Sequence, residues 1–394
     1  MNKKVLLICL LLFMTSVRAA LPLPLMLNGD GDSVQTHAWP VMPPLPEPAG
    51  LRPCCAFGYN LHVKVLNIPV PFWQLNNIVM AGNLGRHHYN DNFLSGLSSL
   101  VGFGSERNGI IYTSHGGFID TAHVRDSADM TVFLFTHLLP ELGKAFIMRP
   151  EDELAQRRIV FSSFTPPSTP GERYALAAWM AAHIAFQLAA WHEIAQWYGY
   201  ESVPGFPEGI SAFSPEDLYS NLLGTRLAVS LILDGQTATL GMYNAAMQTA
   251  LNQALNQLGG RPENITRFHF DMLDGIWWNS LRRVPEKFLV LRRNYDVSDS
   301  RTPTRVPGEQ ASQQRLALSH YWKTYRLDML EQLQLWPGHE MTRLPVPYVY
   351  YTATDFPALA AFAFEQDEAS HYKKEWRQSH SVLRGKRNAG ALFD

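Results

Sequence analysis

A run of small residues between Glu172 and Tyr198 constrains the fold more than any other part of the chain. It reads ERYALAAWMAAHIAFQLAAWHEIAQWY, and seven of its residues recur at alternating steps of three and four. Steps of this size place the seven on one face of a helix. They are Ala175, Ala178, Ala182, Ala185, Ala189, His192 and Gln196. Because methyl groups let another helix approach closely, we predict that the polar pair at the end of this face lies inside the protein, where polar groups need partners.

The next helix is predicted from SPEDLYSN, which begins at Ser214 after a Pro/Gly-rich crossing. A serine followed by proline and then a carboxylate is typical of a capped helix N-terminus. Acidic residues favour this position for the helix dipole alone, which is one explanation of Glu216 and Asp217. The functional interpretation turns Glu216 or Asp217 inward, with Asn221 one turn later as support.

The five residues from His192 to Gln196, HEIAQ, resemble the HExxH helix of the zinc metallopeptidases, with Gln196 in place of the second histidine. In the thermolysin-like gluzincins the third zinc ligand is a glutamate on a following helix at about this distance, which matches Glu216. The resemblance implies a divalent metal ion, with zinc as the candidate, held by His192 and Glu216. It implies that Glu193 is the general base. A neutral amide is a poor zinc ligand, so Gln196 is assigned to orienting a ligand or substrate.

The missing nitrogen ligand is predicted from GGFIDTAHVRD. A strand is expected at residues 109–114 and a helix is expected to open at Asp120. Asp120 and His123 are three residues apart and share the first turn. We expect this turn to deliver His123 to the metal as a ligand, with Asp120 supporting it. In the alternative interpretation Asp120 caps the helix and satisfies His123.

Two structural alternatives accompany these assignments. His192 and Gln196 can instead be hydrogen-bonded core residues, with Glu193 at the surface. His183 lies nine positions before His192, half a revolution away, so the two histidines cannot serve one site and His183 is interpreted as structural. The loop pair His87 and His88 is interpreted as a solvated turn.

The N-terminal residues 1–20, MNKKVLLICLLLFMTSVRAA, have the pattern of a secretory signal peptide, which predicts a periplasmic or secreted protein. No later apolar run is long enough to span a membrane, so no integral membrane segment is expected after cleavage. Removing the leader lowers the basic residues from 33 to 30 against 35 acidic ones, and nucleic acid is therefore not expected as a partner. Cys54 and Cys55 are the two cysteines left, and a buried structural pair is favoured.

The remaining pattern predicts an α+β fold, predominantly α-helical, in a single large domain with short strands. Residues 21–53 are rich in proline and are expected to form an arm, and residues 54–394 form the globular domain. A long amphipathic helix is predicted over residues 310–336 and a strand over residues 345–352. Residues 355–383 are predicted to be mainly helical, and a basic run at 384–387 is interpreted as a solvated tail.

The elements LRPCCAFGY, GGFIDTAHVRD, AWHEIAQWYG and SAFSPEDLYSN together resemble an uncharacterised family of exported bacterial proteins, a domain of unknown function. The first function hypothesis is a metal-dependent hydrolase acting on a peptide, ester or cell-envelope substrate. The alternative is a non-catalytic envelope protein that binds a glycan or protein partner through an aromatic and arginine surface around Trp277 and Trp278. A serine hydrolase using Ser114 is a third hypothesis, although no GxSxG pattern is present.

Overall fold

Three long helices, packed against one another, carry the middle of the chain. A computed structural model describes residues 37–48, 52, 56–65, 68–91, 106–201, 207–338 and 341–370. The predicted signal peptide, the pair Cys54 and Cys55, and the basic run at 384–387 lie outside the described residues.

The described helices include those expected to open at Asp120, to run between Glu172 and Tyr198, and to begin after Ser214. They are α1 (Thr121–Glu141), α2 (Pro170–Trp197), α3 (Asp217–Leu233), α4 (Leu240–Gln257), α5 (Glu263–Leu273), α6 (Leu327–Leu330) and α7 (residues 356–370). The long α2 begins at a proline behind the cap Thr169, whose hydroxyl accepts a hydrogen bond from Glu172 N–H.

The strands are short. They are β1 (Leu61–Val65), β2 (Ile68–Leu75), β3 (Ile110–Thr113), β4 (Gly117–Asp120), β5 (Phe146–Met148), β6 (Gln156–Phe161), β7 (Arg283–Val284), β8 (Ser300–Arg301), β9 (Leu316–Ala317), β10 (Tyr321–Trp322), β11 (Tyr325–Arg326) and β12 (Glu331–Trp336). Two three-stranded sheets have the orders β2-β1-β7 and β12-β6-β5, and β3-β4, β8-β9 and β10-β11 form hairpins. The predominantly helical α+β class is confirmed.

Small residues set the distances between the long helices. The alanine face of α2 is buried from Ala175 to Ala185, as its spacing predicts. Helix α3 approaches α1 closely at Gly224, where an added Cβ atom would lie 2.1 Å from the Val124 carbonyl oxygen. Only glycine fits there, because real side chains do not approach backbone to that distance. The contact brings the first turns of α1 and α3 together.

The predicted long helix over residues 310–336 is wrong. This segment forms β9, β10, β11, the single turn α6, and β12. In β12 the buried residues are Glu331, Leu333 and Leu335, a spacing of two, and β12 pairs along its whole length with β6. Sheet pairing therefore overrides the helical spacing of the leucines. The strand predicted over 345–352 is reduced to one bridge between Tyr351 and Leu335.

Two other expectations are corrected by burial. Trp277 and Trp278 are buried in the second hydrophobic core, so they do not form an exposed aromatic surface. His87 is buried between Glu106 and Asp129 instead of lying in a solvated turn.

The described part of the proline-rich arm packs against the helices without regular structure. Trp39 Nε1–H donates to the Leu233 carbonyl oxygen, and Leu45 N–H donates to the Thr136 hydroxyl oxygen. Within the described chain, no helix combines the length and apolar character needed to cross a membrane.

Candidate metal centre at the N-termini of two helices

The first turn of α1 carries Asp120 and His123. The hairpin β3-β4 runs directly into α1, and Asp120 caps the helix by accepting the Ala122 N–H at 2.7 Å through Oδ1. Its backbone N–H donates to the Ser220 hydroxyl oxygen of α3 at 3.0 Å. The cap and this cross-link hold Oδ2 of Asp120 and the ring of His123 on the side that faces α3.

The first turn of α3 carries Glu216 and Asp217. Asp217 accepts the Ser214 N–H at 3.0 Å through Oδ2, which is one half of the predicted capping box. The other half is not formed, since the Ser214 hydroxyl oxygen has no hydrogen-bond partner among the described residues. Glu216 is the capping position of α3, but its side chain does not cap the helix. Both acids are therefore positioned by the helix start, and both are buried.

His123 lies at the centre of these carboxylates. Its Nδ1 is 3.2 Å from Asp217 Oδ1 and 3.6 Å from Asp120 Oδ2, and its Nε2 is 4.0 Å from Glu193 Oε1. Ligand atoms that share one metal ion with bonds of about 2.0–2.2 Å lie about 3.0–3.6 Å apart. The two Nδ1 distances of His123 lie in this range, and Asp120, His123 and Asp217 form one of the two groups of candidate metal ligands found among the described residues.

Glu193 reaches the cluster from α2. Its Oε2 accepts the Phe213 N–H at 2.6 Å, and Oε1 has no hydrogen-bond partner among the described residues. Phe213 has a φ of +58°, a conformation that is strained for a bulky residue and that is found most often at functional sites. The alternative in which Glu193 lies at the surface is therefore wrong, because this carboxylate is fully buried.

The cluster has little positive charge to neutralise it. Burial, and then the nearby Asp217 carboxylate, raise the pKa of Glu193 to about 8. Burial followed by Asp217 and Asp120 raises the pKa of Glu216 well above its usual value. In the described chain, no arginine or lysine forms an ion pair with Glu193, Glu216 or Asp217. A divalent cation would supply the missing charge.

Two arginines stand behind the cluster without pairing with it. Arg293 donates to the carbonyl oxygens of Gly209 and Ile210, at 3.1 Å and 3.2 Å, and so fixes the loop that leads to α3. Arg301 is buried, and burial lowers its pKa to about 10 while Asp296, Glu193 and Asp217 oppose the shift. Neither arginine could be assigned to this site from the sequence, because both are far along the chain from the cluster and only the fold brings them close to it.

A cavity of about 100 Å³ adjoins the cluster on the His123 side. Ala185 and Ala189, at the end of the alanine face, form part of its wall, and Ser127 and Asn221 line it beside His123. The Ser127 hydroxyl donates to Asn221 Oδ1 at 2.7 Å, which fixes the orientation of the amide beside the cavity. The small side chains of α2 thus leave space for a ligand where the sequence predicted only helix packing.

His192 lines the same cavity but faces a different partner. Its Nδ1 contacts Glu153, which also pairs with Arg157 at 3.0 Å. Burial lowers the pKa of His192, but Glu153 outweighs burial and raises it to about 9. Gln196 donates to Glu208 at 3.2 Å and likewise faces away from the carboxylate cluster.

The structure therefore brings together part of the predicted site. Asp120, Glu193 and Asp217 lie within 4.0 Å of His123, and Glu216 is close to Asp217 and Asp120. Neither His192 nor Glu216 joins a group of three ligand atoms close enough to share an ion among the described residues. Glu47 and Glu153, which line the cavity, were missed by sequence reasoning. No local pattern distinguishes either residue from an ordinary surface acid.

The fold and the site define a mainly helical α+β protein with a buried histidine–carboxylate cluster at two helix N-termini. The chain belongs to the family described as "Protein of unknown function (DUF4056)", which matches residues 42–307. This range contains every residue of the cluster. No curated protein and no solved structure matches the chain.

Proposed function

We propose that the protein is an exported metal-dependent hydrolase whose divalent ion is held by Asp120, His123 and Asp217. The observation that carries the proposal is a buried set of carboxylates and one imidazole at ligand spacing, next to a cavity and without a paired arginine or lysine on Glu193, Glu216 or Asp217 in the described chain. Buried carboxylates in such numbers are stable only when paired, protonated or bound to a cation.

The donor set suits several ions. One imidazole with carboxylate oxygens is compatible with zinc, manganese or iron, whereas a site without thiolates gives no preference for soft metals. Glu216 is the nearby carboxylate that would serve as a fourth ligand, since neither of its oxygens has a hydrogen-bond partner among the described residues. A bound divalent ion would supply Lewis acidity to the substrate and to water.

Glu193 is the residue assigned to hold the proton during hydrolysis. Its Oε2 is held by the Phe213 N–H, which leaves Oε1 to accept a proton from water and return it to the leaving group. Glu193 keeps the role predicted for it, while the metal ligands are revised from His192, Glu216 and His123 to Asp120, His123 and Asp217. Ser127 and Asn221 would orient the substrate at the cavity wall.

The cavity lining favours a neutral or cationic substrate group. The lining includes the acidic residues Glu47, Asp126, Glu151, Asp152 and Glu153, against one arginine, Arg157, and His192. An anionic substrate would be repelled at this entrance. A peptide or cell-envelope fragment with a free amine fits this charge, and the N-terminal leader pattern supports access to such substrates outside the cytoplasm.

The test combines metal analysis with an activity screen. The full chain is exported, purified, stripped with a chelator and reloaded with zinc or manganese. Asp217→Asn is expected to lose one ion per chain relative to wild type. Glu193→Gln is expected to keep that ion but lose at least about 100-fold in the hydrolysis of peptides, amides or esters, as for loss of a general base.

Asp271→Asn serves as the matched control, because Asp271 is exposed. It should change neither metal content nor activity. Unchanged metal content in Asp217→Asn would refute the metal centre. A substrate panel on which wild type is no faster than Glu193→Gln would refute the hydrolase function while leaving the metal centre intact.

A further inference from the structure

A second cluster of ligand-type residues lies around His183, on the side of α2 opposite His192. This histidine is nearly fully buried, and Asp299 and His320 face it from outside the helix. Together the three form the other group of candidate ligands found in the described chain. Nothing in the proposed hydrolase site uses them, since His183 lies ten residues before Glu193, which is about 15 Å along α2.

The spacing within this cluster is compatible with a shared cation. His320 Nε2 is 3.4 Å from Asp299 Oδ1, and His183 Nε2 is 3.9 Å from Asp299 Oδ2. Good hydrogen bonds between such atoms measure about 2.7–3.2 Å. Tetrahedral ligands on one zinc ion lie about 3.4 Å apart. The two imidazole rings cross nearly edge to face with centroids 5.6 Å apart, so both Nε2 atoms can approach one point.

A buried carboxylate stands behind His183, as is usual for a metal-binding histidine. Glu331 Oε1 lies 3.1 Å from His183 Nδ1, and its other oxygen has no hydrogen-bond partner among the described residues. When Nδ1–H donates to this carboxylate, the lone pair of Nε2 is directed at the ligand cluster.

Rigid elements hold each ligand in place. Asp299 precedes β8, and its carbonyl oxygen accepts the Leu318 N–H at 2.9 Å. His320 precedes β10, and its carbonyl oxygen accepts the Leu327 N–H at 2.9 Å. Glu331 begins β12 and pairs in register with Phe161 of β6. The cluster is therefore built on paired strands and a long helix.

We propose that His183, Asp299 and His320 form a second divalent metal site, with Glu331 orienting His183. Two imidazoles and one carboxylate are the donor set of zinc and related ions, and a water molecule completes the fourth position from the open side of His320. His320 and Glu331 lie beyond the residues that match the family. The site joins the strands after residue 299 to the central helix.

The test separates this site from the hydrolase centre by working in Asp217→Asn protein. After chelation, this variant is titrated with cobalt(II), whose visible absorption reports tetrahedral binding, and then with zinc. One equivalent is expected to bind and to be displaced by zinc. Adding His320→Ala to the same background is expected to abolish the absorption band and the binding.

His320 is well exposed, so its replacement is expected to leave the fold intact by circular dichroism. His88→Ala, at another exposed histidine, is the matched control and should keep the ion. Binding that survives both His320→Ala and Asp299→Asn, or no binding by the Asp217→Asn protein at all, would overturn the second site. Neither result depends on whether the protein is a hydrolase.

Discussion

Two sets of buried carboxylates lie along α1, and they differ in what neutralises them. The first set is Glu106, Asp126 and Asp129, all paired with Arg52 at 2.5–3.0 Å. The second set is Glu193, Glu216 and Asp217, none of which pairs with an arginine or lysine in the described chain. Asp126 is slightly exposed and the other five carboxylates are buried, so the main difference between the sets lies in their partners.

Pairing with arginine changes the direction in which the pKa of a buried acid shifts. Burial raises the pKa of Glu106, but Arg52, His87 and Arg125 outweigh it and hold the pKa well below its usual value. In the second set burial acts with neighbouring acids, and the pKa values of Glu193 and Glu216 rise. Asp126 is intermediate, since burial raises its pKa despite Arg52.

The two sets differ in hydrogen bonding as well as in ion pairing. In the first set each carboxylate also has hydrogen bonds, and Tyr243 donates to Asp129 at 2.7 Å, as expected of a network that stabilises the fold. In the second set oxygens of Glu193, Glu216 and Asp217 have no hydrogen-bond partner among the described residues. Charge that a fold leaves uncompensated is the usual mark of a binding site.

Replacing Arg52 should have the largest effect on stability. Arg52→Met leaves three carboxylates buried without their main partner, which is expected to cost about 3–5 kcal/mol of unfolding free energy. Urea denaturation followed by circular dichroism measures the loss. Arg86→Met, at an exposed arginine, should change stability by less than about 0.5 kcal/mol. A loss of under about 1 kcal/mol for Arg52→Met would show that the network is not structural.

Acid should weaken the same network. The pKa values of Glu106 and Asp129 are lowered in the folded state, so their contribution is complete above the unfolded values of 4.5 and 3.8 and is lost as the pH falls below them. We expect wild type to lose on the order of 2 kcal/mol between about pH 5 and pH 3. Arg52→Met should lose less over this interval. Equal acid sensitivity in both proteins would place the titrating groups elsewhere.

The helices were predictable because their signals are local. The alanine spacing of α2, the cap at Asp120 and the proline behind Thr169 each lie within a few residues of the element they define. The prediction of one helix over the segment that contains β9 to β12 was wrong because β12 pairs with β6. The paired residues Glu331 and Phe161 are 170 positions apart in the sequence. Long-range pairing leaves only a weak spacing of two in the sequence.

Removing one acid from the unpaired set should stabilise the protein, whereas replacing Arg52 should destabilise it. Glu216→Gln takes away a buried charge next to Asp217 and Asp120, so the metal-free protein is expected to gain about 1 kcal/mol at about pH 8. The matched variant is Glu106→Gln in the paired set, which should be destabilising. Urea midpoints of chelator-stripped proteins decide the comparison, and a clear loss of stability in Glu216→Gln would contradict it.

The site was only partly predictable, for a similar reason. Local spacing located Asp120, His123, Glu193, Glu216 and Asp217, since helix starts concentrate acids and a turn brings residues three apart together. It could not decide which of the neighbours His192 and Glu193 faces the cluster, because adjacent residues differ by about 100° around a helix. That choice depends on Glu153, which meets His192 from a separate segment.

His192 therefore provides the finest test of the comparison, because it belongs with the paired groups. Its Nδ1 contacts Glu153, and Glu153 pairs with Arg157, so replacing it should not disturb the ion near His123. We expect His192→Ala to keep the ion that His123→Ala loses, as measured by elemental analysis of protein reloaded with zinc. If His192→Ala loses that ion, the ligand set implied by the HExxH resemblance is correct, and the division between paired and unpaired charge does not identify the metal centre.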